Sequence, residues 1–193
     1  MPAGGSVAYT TPALERDVVT FGDASLDLWI ASTTAAGDLE ATLTEVRPDG
    51  QETFVQRGWL RMANRRLDRR ASTRTRPVQT HREVDARPLV PGQPTFARLA
   101  IQPVSHVFRQ GSSIRVTIEA PSSFTGLWGF DYDTTPSTLS VLHDAAHRSK
   151  LVLGILPDER ALAPLPDCNT VLLQFCRPSP FSVPGGTLTM PSL

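Results

Sequence analysis

Apolar and polar residues alternate with a period of two through much of this chain, and that pattern decides its fold class. Between Ser113 and Glu119, Ile114, Val116 and Ile118 fall on one side, and Ser113, Arg115, Thr117 and Glu119 fall on the other. Successive side chains of a strand point to opposite faces, so this run reads as a strand with one face in a core. The pattern recurs with Leu26, Leu28 and Ile30, with Leu39, Ala41 and Leu43, and with Ala97, Leu99 and Ile101. Four more runs, ERDVVTF, QETFVQ, RSKLVLGIL and NTVLLQF, are strand candidates. The last two are apolar enough to predict burial on both faces.

Turn chemistry separates these runs. Ala36-Gly37-Asp38, Pro48-Asp49-Gly50, Pro91-Gly92-Gln93-Pro94 and Arg109-Gln110-Gly111 offer the preset φ of proline and the positive φ of glycine that tight connections need. No stretch pairs a 3.6-residue period with caps at both ends, and RMANRRLDRR, the nearest approach, is polar nearly all round. Short strands without intervening helices predict an all-β protein, its antiparallel sheets packed as a jelly-roll β-sandwich.

With 193 residues, 40% of them hydrophobic, the chain is long enough for one core. Its 19 basic and 19 acidic side chains cancel. No global field therefore draws it to nucleic acid or to an acidic membrane, and neither is an expected partner. No run approaches the ~18 apolar residues of a membrane span. The opening residues MPAGGSVAYTTPALERD have neither the basic nor the apolar region of a signal peptide. Cytoplasmic and secreted locations both stay open.

Hydrolytic chemistry of the α/β type needs a nucleophile on a G-x-S-x-G elbow, and that motif is absent. His143 and Asp144 without an elbow or an oxyanion hole are only common residues, so the chain is expected to be inactive alone, with no catalytic residue. His143 and His147 stand four apart as in a helical metal site, but the glutamate of that motif is missing and the segment reads as a loop. His106 reads as a structural imidazole at the edge of a strand. Cys168 and Cys176 have no CxxC spacing and no nearby histidine, which leaves them to pair or to stay reduced according to compartment. Neither metal nor cofactor is expected.

Two clusters remain. Arg57, Arg61, Arg65, Arg66, Arg69, Arg70, Arg74 and Arg76 enclose a single acid, Asp68. The neutrality of the whole chain favours a solvated loop that docks on an acidic neighbouring domain over a nucleic-acid footprint. Trp29, Trp59, Trp128 and Tyr132 suggest an alternative, a sugar-stacking platform of a carbohydrate-binding module. Trp29 falls on the face opposite Leu28, which is either exposed or covered by another layer.

The runs RGWLRMANRRLD, HREV (His81 to Val84), PLVPGQPTFARLAIQPVSHVFRQGSSIRVTIEA and VLHDAAHRSKLVLGILP come in an order and spacing that resemble the C-terminal domain of the X-Pro dipeptidyl-peptidase and cocaine esterase family of serine hydrolases. VVTFGDASLDLWIASTTAAGDLEATLTEVRPDG is similar to that domain's opening strands. The resemblance implies three segments: an N-terminal extension (1–16), the β-sandwich domain (17–157) and a proline-rich tail with one strand (158–193). It also implies a galactose-binding-like fold attached, in cis or as a separate chain, to an α/β-hydrolase catalytic domain that holds the triad. In such enzymes this domain walls the active-site cleft and takes part in dimer contacts. Arg61, Arg65, Arg66, Arg69 and Arg70, with Trp128 and Tyr132, are the expected interface residues.

Overall fold

The computed structural model describes residues 5–121, 131, 133–172, 174–179 and 185–190. Ten strands lie in them: β1 (Ser6–Thr10), β2 (Val18–Ser32), β3 (Asp38–Val46), β4 (Gln51–Arg61), β5 (Thr95–Phe108), β6 (Ser113–Glu119), β7 (Leu139–Leu142), β8 (Lys150–Leu156), β9 (Cys176–Pro178) and β10 (Gly185–Thr187). Met62–Asn64 and Glu83–Asp85 form single 3-10 turns. Among the described residues no helix is long and apolar enough to cross a membrane.

The strands make two sheets, and the protein is an all-β sandwich. The wider sheet runs β10-β1-β6-β3-β4-β9; in the narrower one β2 pairs with β5 along one edge and with β7 and β8, end to end, along the other. Neighbours are antiparallel except for β1 and β10. The alternating residues do what their period requires. Leu26, Leu28 and Ile30 of β2 pack on Leu39 and Ala41 of β3, Leu99 and Ile101 of β5, and Val116 and Ile118 of β6. Each large side chain removed from water in this way contributes about 1.5–3 kcal/mol.

Several boundaries differ from the sequence expectation. VVTF of the first candidate and SLDLWIAS belong to one 15-residue strand, which leaves residues 15–17 outside it. Residues 6–10, expected as part of an extension, form β1 inside the wider sheet, because β6 and β10 supply hydrogen-bonding edges on both sides. NTVLLQF forms no strand in its described residues, and Leu172 stands 87% exposed. Asn169 sits there at φ 64°, which breaks any extended run. In β8, expected to be buried on both faces, only Val152 is buried; the other residues are half-buried or exposed.

A bulge sets the geometry of β5. Gly22 pairs with Val104 and Ala24 with Ile101, so β5 carries one extra residue there. Pro103, which lacks an N–H, falls within that irregularity, where a lost ladder bond is tolerated. The extra residue reverses the alternation. Ala97, Leu99 and Ile101 face the core before it, and His106 and Phe108, paired with Thr20 and Val18, face it after.

The sandwich closes tightly at its β4–β5 edge. Gly58 is opposite Ala41, and a Cβ built on it would lie 1.8 Å from the Ala100 carbonyl oxygen. Only a residue without a side chain lets the two backbones approach so closely.

On the outer face of the wider sheet, Glu119 of β6 is directly opposite Glu40 of β3. Burial, and then the Glu40 charge, push the Glu119 carboxyl above its ordinary value. A carboxyl shifted upward opposes folding once it is ionised, and the opposition fades as pH falls. Glu119→Gln is therefore expected to raise stability by about 0.2–1 kcal/mol at neutral pH, the size of a like-charge pair directly across a ladder. Urea denaturation at pH 7 and pH 4 checks this, since the gain should shrink at the lower pH.

Candidate docking surface

The arginine stretch does not fold as one solvated loop. Arg57 and Arg61 belong to β4, and the residues after Met62 fold back over the outer face of the narrower sheet. There Ser25 Oγ donates to the Arg74 carbonyl at 3.1 Å, Arg98 Nη2 donates to the same oxygen, and Gln79 Nε2 donates to the Arg98 carbonyl at 2.8 Å. Leu67 and Gln79 bridge to each other. This layer explains why Ser25 and Asp27 of β2 are buried although they point away from the core.

The arginines divide by partner. Arg57 is 7% exposed; its Nη1 meets Glu40 Oε1 at 3.0 Å and its guanidinium stacks 5.2 Å from the Trp59 ring centre. Arg61 makes two 3.0 Å bonds to the Asp38 carboxylate and donates to the Asp131 carbonyl. The Asp38 hydrogen bond, then its charge, raise the Arg61 guanidinium above its ordinary value. Arg65 turns inward, donating to the Met62 and Arg87 carbonyls, and burial lowers its value.

Arg66, Arg69 and Arg70 are exposed. Among the described residues, no side-chain hydrogen bond or ion pair involves Arg69 or Arg70. Asp68 does not neutralise them at close range: its Oδ1 accepts the N–H groups of Arg70 at 2.9 Å and Ala71 at 3.2 Å, which fixes the turn. Three cations are thus displayed on a folded support. Beside Arg61 lies a groove of about 370 Å³, lined by Thr34, Gly37, Asp38, Ala63 and Asp133. Of the other expected interface residues, Trp128 and Tyr132 lie outside the described residues.

The histidines are accounted for by local structure. His106 Nε2 is 2.9 Å from Glu45 Oε2, and Gln174 Nε2 is 3.3 Å from its other ring nitrogen. Burial would raise the Glu45 carboxyl, but the hydrogen bonds with His106 and from the Arg109 N–H outweigh it and hold the group low. Nothing in the local sequence signals this buried pair, because His106 reaches the interior only through the bulge at Pro103. His147 Nδ1 meets Asp144 Oδ2 at 2.9 Å within a turn, and His143 packs edge-on to Tyr9. No three His, Cys, Asp or Glu side chains gather to hold a metal among the described residues. Trp29 and Trp59 lie on the outer faces of different sheets, Trp29 against Phe96 and His147 and Trp59 under Arg57, so they do not make one sugar platform.

The tail is bound to the sandwich. Cys168 and Cys176, left open by the sequence, form a disulfide. β9 then pairs with β4, Arg177 reaches Glu52, Arg47 Nη1 donates to the Pro166 carbonyl, and Arg109 Nη1 donates to that of Ala163, both at 2.8 Å.

Comparison with known proteins places these features in a family. Residues 3–152 match the model of the X-Pro dipeptidyl-peptidase C-terminal non-catalytic domain. Over 154 residues the chain is 29% identical to "Putative serine esterase Mb1866c" of Mycobacterium bovis, a match covering 78% of this chain and 24% of that protein. The chain thus spans about a quarter of that relative's length. Its fold is similar to a CocE/NonD family hydrolase from Staphylococcus aureus, with TM-score 0.71 and 19% identity over 78% of this chain and 30% of that one. It is also similar to an aminopeptidase from the marine sediment archaeon Thaumarchaeota archaeon, with TM-score 0.59 and 19% identity over 78% of this chain and 26% of that one. An all-β sandwich without a nucleophile elbow, matched by that model over most of its length, belongs to the X-Pro dipeptidyl-peptidase C-terminal non-catalytic domain family.

Proposed function

We propose that this domain serves a serine hydrolase acting on esters or X-Pro peptides by docking on its α/β-hydrolase catalytic domain and helping to wall the active-site cleft. The bond-breaking Ser, Asp and His belong to that partner. This chain contributes position and shape, which matter because a reacting carbonyl held slightly out of place loses much of its rate. The observation that carries this reading is the exposure of Arg66, Arg69 and Arg70 on a segment that is itself held against the narrower sheet. Arg61 and Arg65, with Trp128 and Tyr132, are proposed to complete that surface.

Exposed cations of this kind steer association and select a partner of opposite charge. Converting Arg66, Arg69 and Arg70 together to glutamate should leave the fold intact, because the three side chains are solvated. The exchange should weaken association with a separately prepared family catalytic domain by at least about tenfold and abolish its salt dependence. A second readout is the kcat/KM of that catalytic domain on an acyl ester, expected to rise when the native chain is added and not when the variant is added. Unchanged affinity in the variant would remove the arginines from the interface.

A further inference from the structure

The two sheets differ in width, and among the described residues they are closed at one edge only. From the tight β4–β5 edge, the narrower sheet ends after three strands at β8, while the wider one continues to β1 and β10. Between β8 and those two strands lies a cleft of about 720 Å³, its walls including Tyr9, Val116, Ile118, Leu151, Leu153 and Leu188. Leu151 and Leu153 face inward beside Leu26 and Ala24. Those two are 3% exposed, whereas Leu151 and Leu153 are only half-buried.

The free edge of β8 matches this gap. β8 bonds to β2 along one side, and among the described residues no backbone group of Lys150–Leu156 is bonded along the other. A bare apolar edge with one charged residue lacks the usual devices that block strand addition. Lys150, the first residue of β8, and Arg74 are the cations that line the cleft. Lys150 Nζ is 3.7 Å from Asp27, whose carboxylate Arg98 holds at 2.8 Å, and the Arg74 guanidinium has no hydrogen bond among the described residues.

We propose that this cleft accepts one further β-strand: an extended segment of a partner polypeptide with apolar residues at alternate positions and a carboxylate at the end beside Lys150 and Arg74. Backbone bonds to β8 would give affinity, and alternate side chains would fill the space left over Leu151 and Leu153. A second copy joined β8 to β8 fits poorly, since each molecule would bring its own β1 and β10 to the place the other needs. The proposal is independent of docking through the arginines.

The test is a titration of the intact chain with a blocked peptide of sequence Asp-Val-Thr-Val-Thr-Val-Asp, whose valines share the face of Leu151 and Leu153 and whose aspartates share that of Lys150 in either strand direction, and with its counterpart bearing lysine in place of both aspartates. Calorimetry should show saturable binding of the aspartate peptide, at least about tenfold tighter than the lysine peptide. Hydrogen exchange should show new protection confined to Leu151–Ile155 and their neighbours across the cleft. In Lys150→Glu, a substitution at an exposed position, the preference should shrink or reverse. Absence of saturable binding, equal binding of both peptides or a preference for lysine would overturn the proposal. So would a concentration-dependent dimer that protects the same amides without peptide.

Discussion

Gly58→Ala should cost about 3 kcal/mol or more, because the new methyl carbon would sit 1.8 Å from the Ala100 carbonyl oxygen. Backbone, unlike the end of a flexible side chain, cannot step aside without parting β4 from β5 along the closed edge of the sandwich. Gly92→Ala is the control. Its φ is +74° and nothing lies within 4 Å of the added carbon, so strain alone applies, about 1 kcal/mol. Urea unfolding of both variants separates clash from strain. Equal losses would mean that the two sheets do not meet at Gly58.

Glu52→Ala is expected to cost about 3–5 kcal/mol, as for a broken buried ion pair. The carboxylate is 1% exposed and gathers Arg115 Nη1 at 3.2 Å, Arg177 Nε at 2.9 Å and Thr44 Oγ1 at 2.7 Å. Removing it strands Arg115, whose side chain is 12% exposed, and loosens β9 through Arg177. Burial tends to raise the Glu52 carboxyl, but the Arg177 and Thr44 bonds and both arginine charges bring it below its ordinary 4.5. A carboxyl lowered on folding adds stability that is complete above its unfolded value and lost as pH falls through the folded one. Stability should therefore decline below about pH 4.5, with Glu45 acting in the same direction. In Glu52→Gln that decline should be shallower by about one proton, measured as free energy of unfolding against pH. An unchanged slope would show that Glu52 titrates alike folded and unfolded.

These two sites show what a sequence discloses and what it conceals. The inward residues of β2, β3, β5 and β6 were legible because alternation is local: Leu26, Leu28 and Ile30 need no knowledge of their partners. Gly58 and Glu52 were not, because their meaning lies in Ala100, Arg115 and Arg177, between 42 and 125 positions away. The buried Glu45–His106 pair was concealed by a phase reversal at one bulge. β1 was missed because five residues carry too little pattern, and NTVLLQF was overread because apolarity alone does not oppose a turn held by a disulfide. The arginines were recognised as a group, yet only the folded chain separates Arg57, spent on Glu40, from Arg66, Arg69 and Arg70, which remain on display.

Sedimentation velocity of this chain mixed with the catalytic part of a family serine hydrolase tests most directly whether the domain works by docking. The expected result is a saturable one-to-one complex at tens of micromolar that dissociates as salt is raised. Two species sedimenting independently over that range, at low salt, would contradict it.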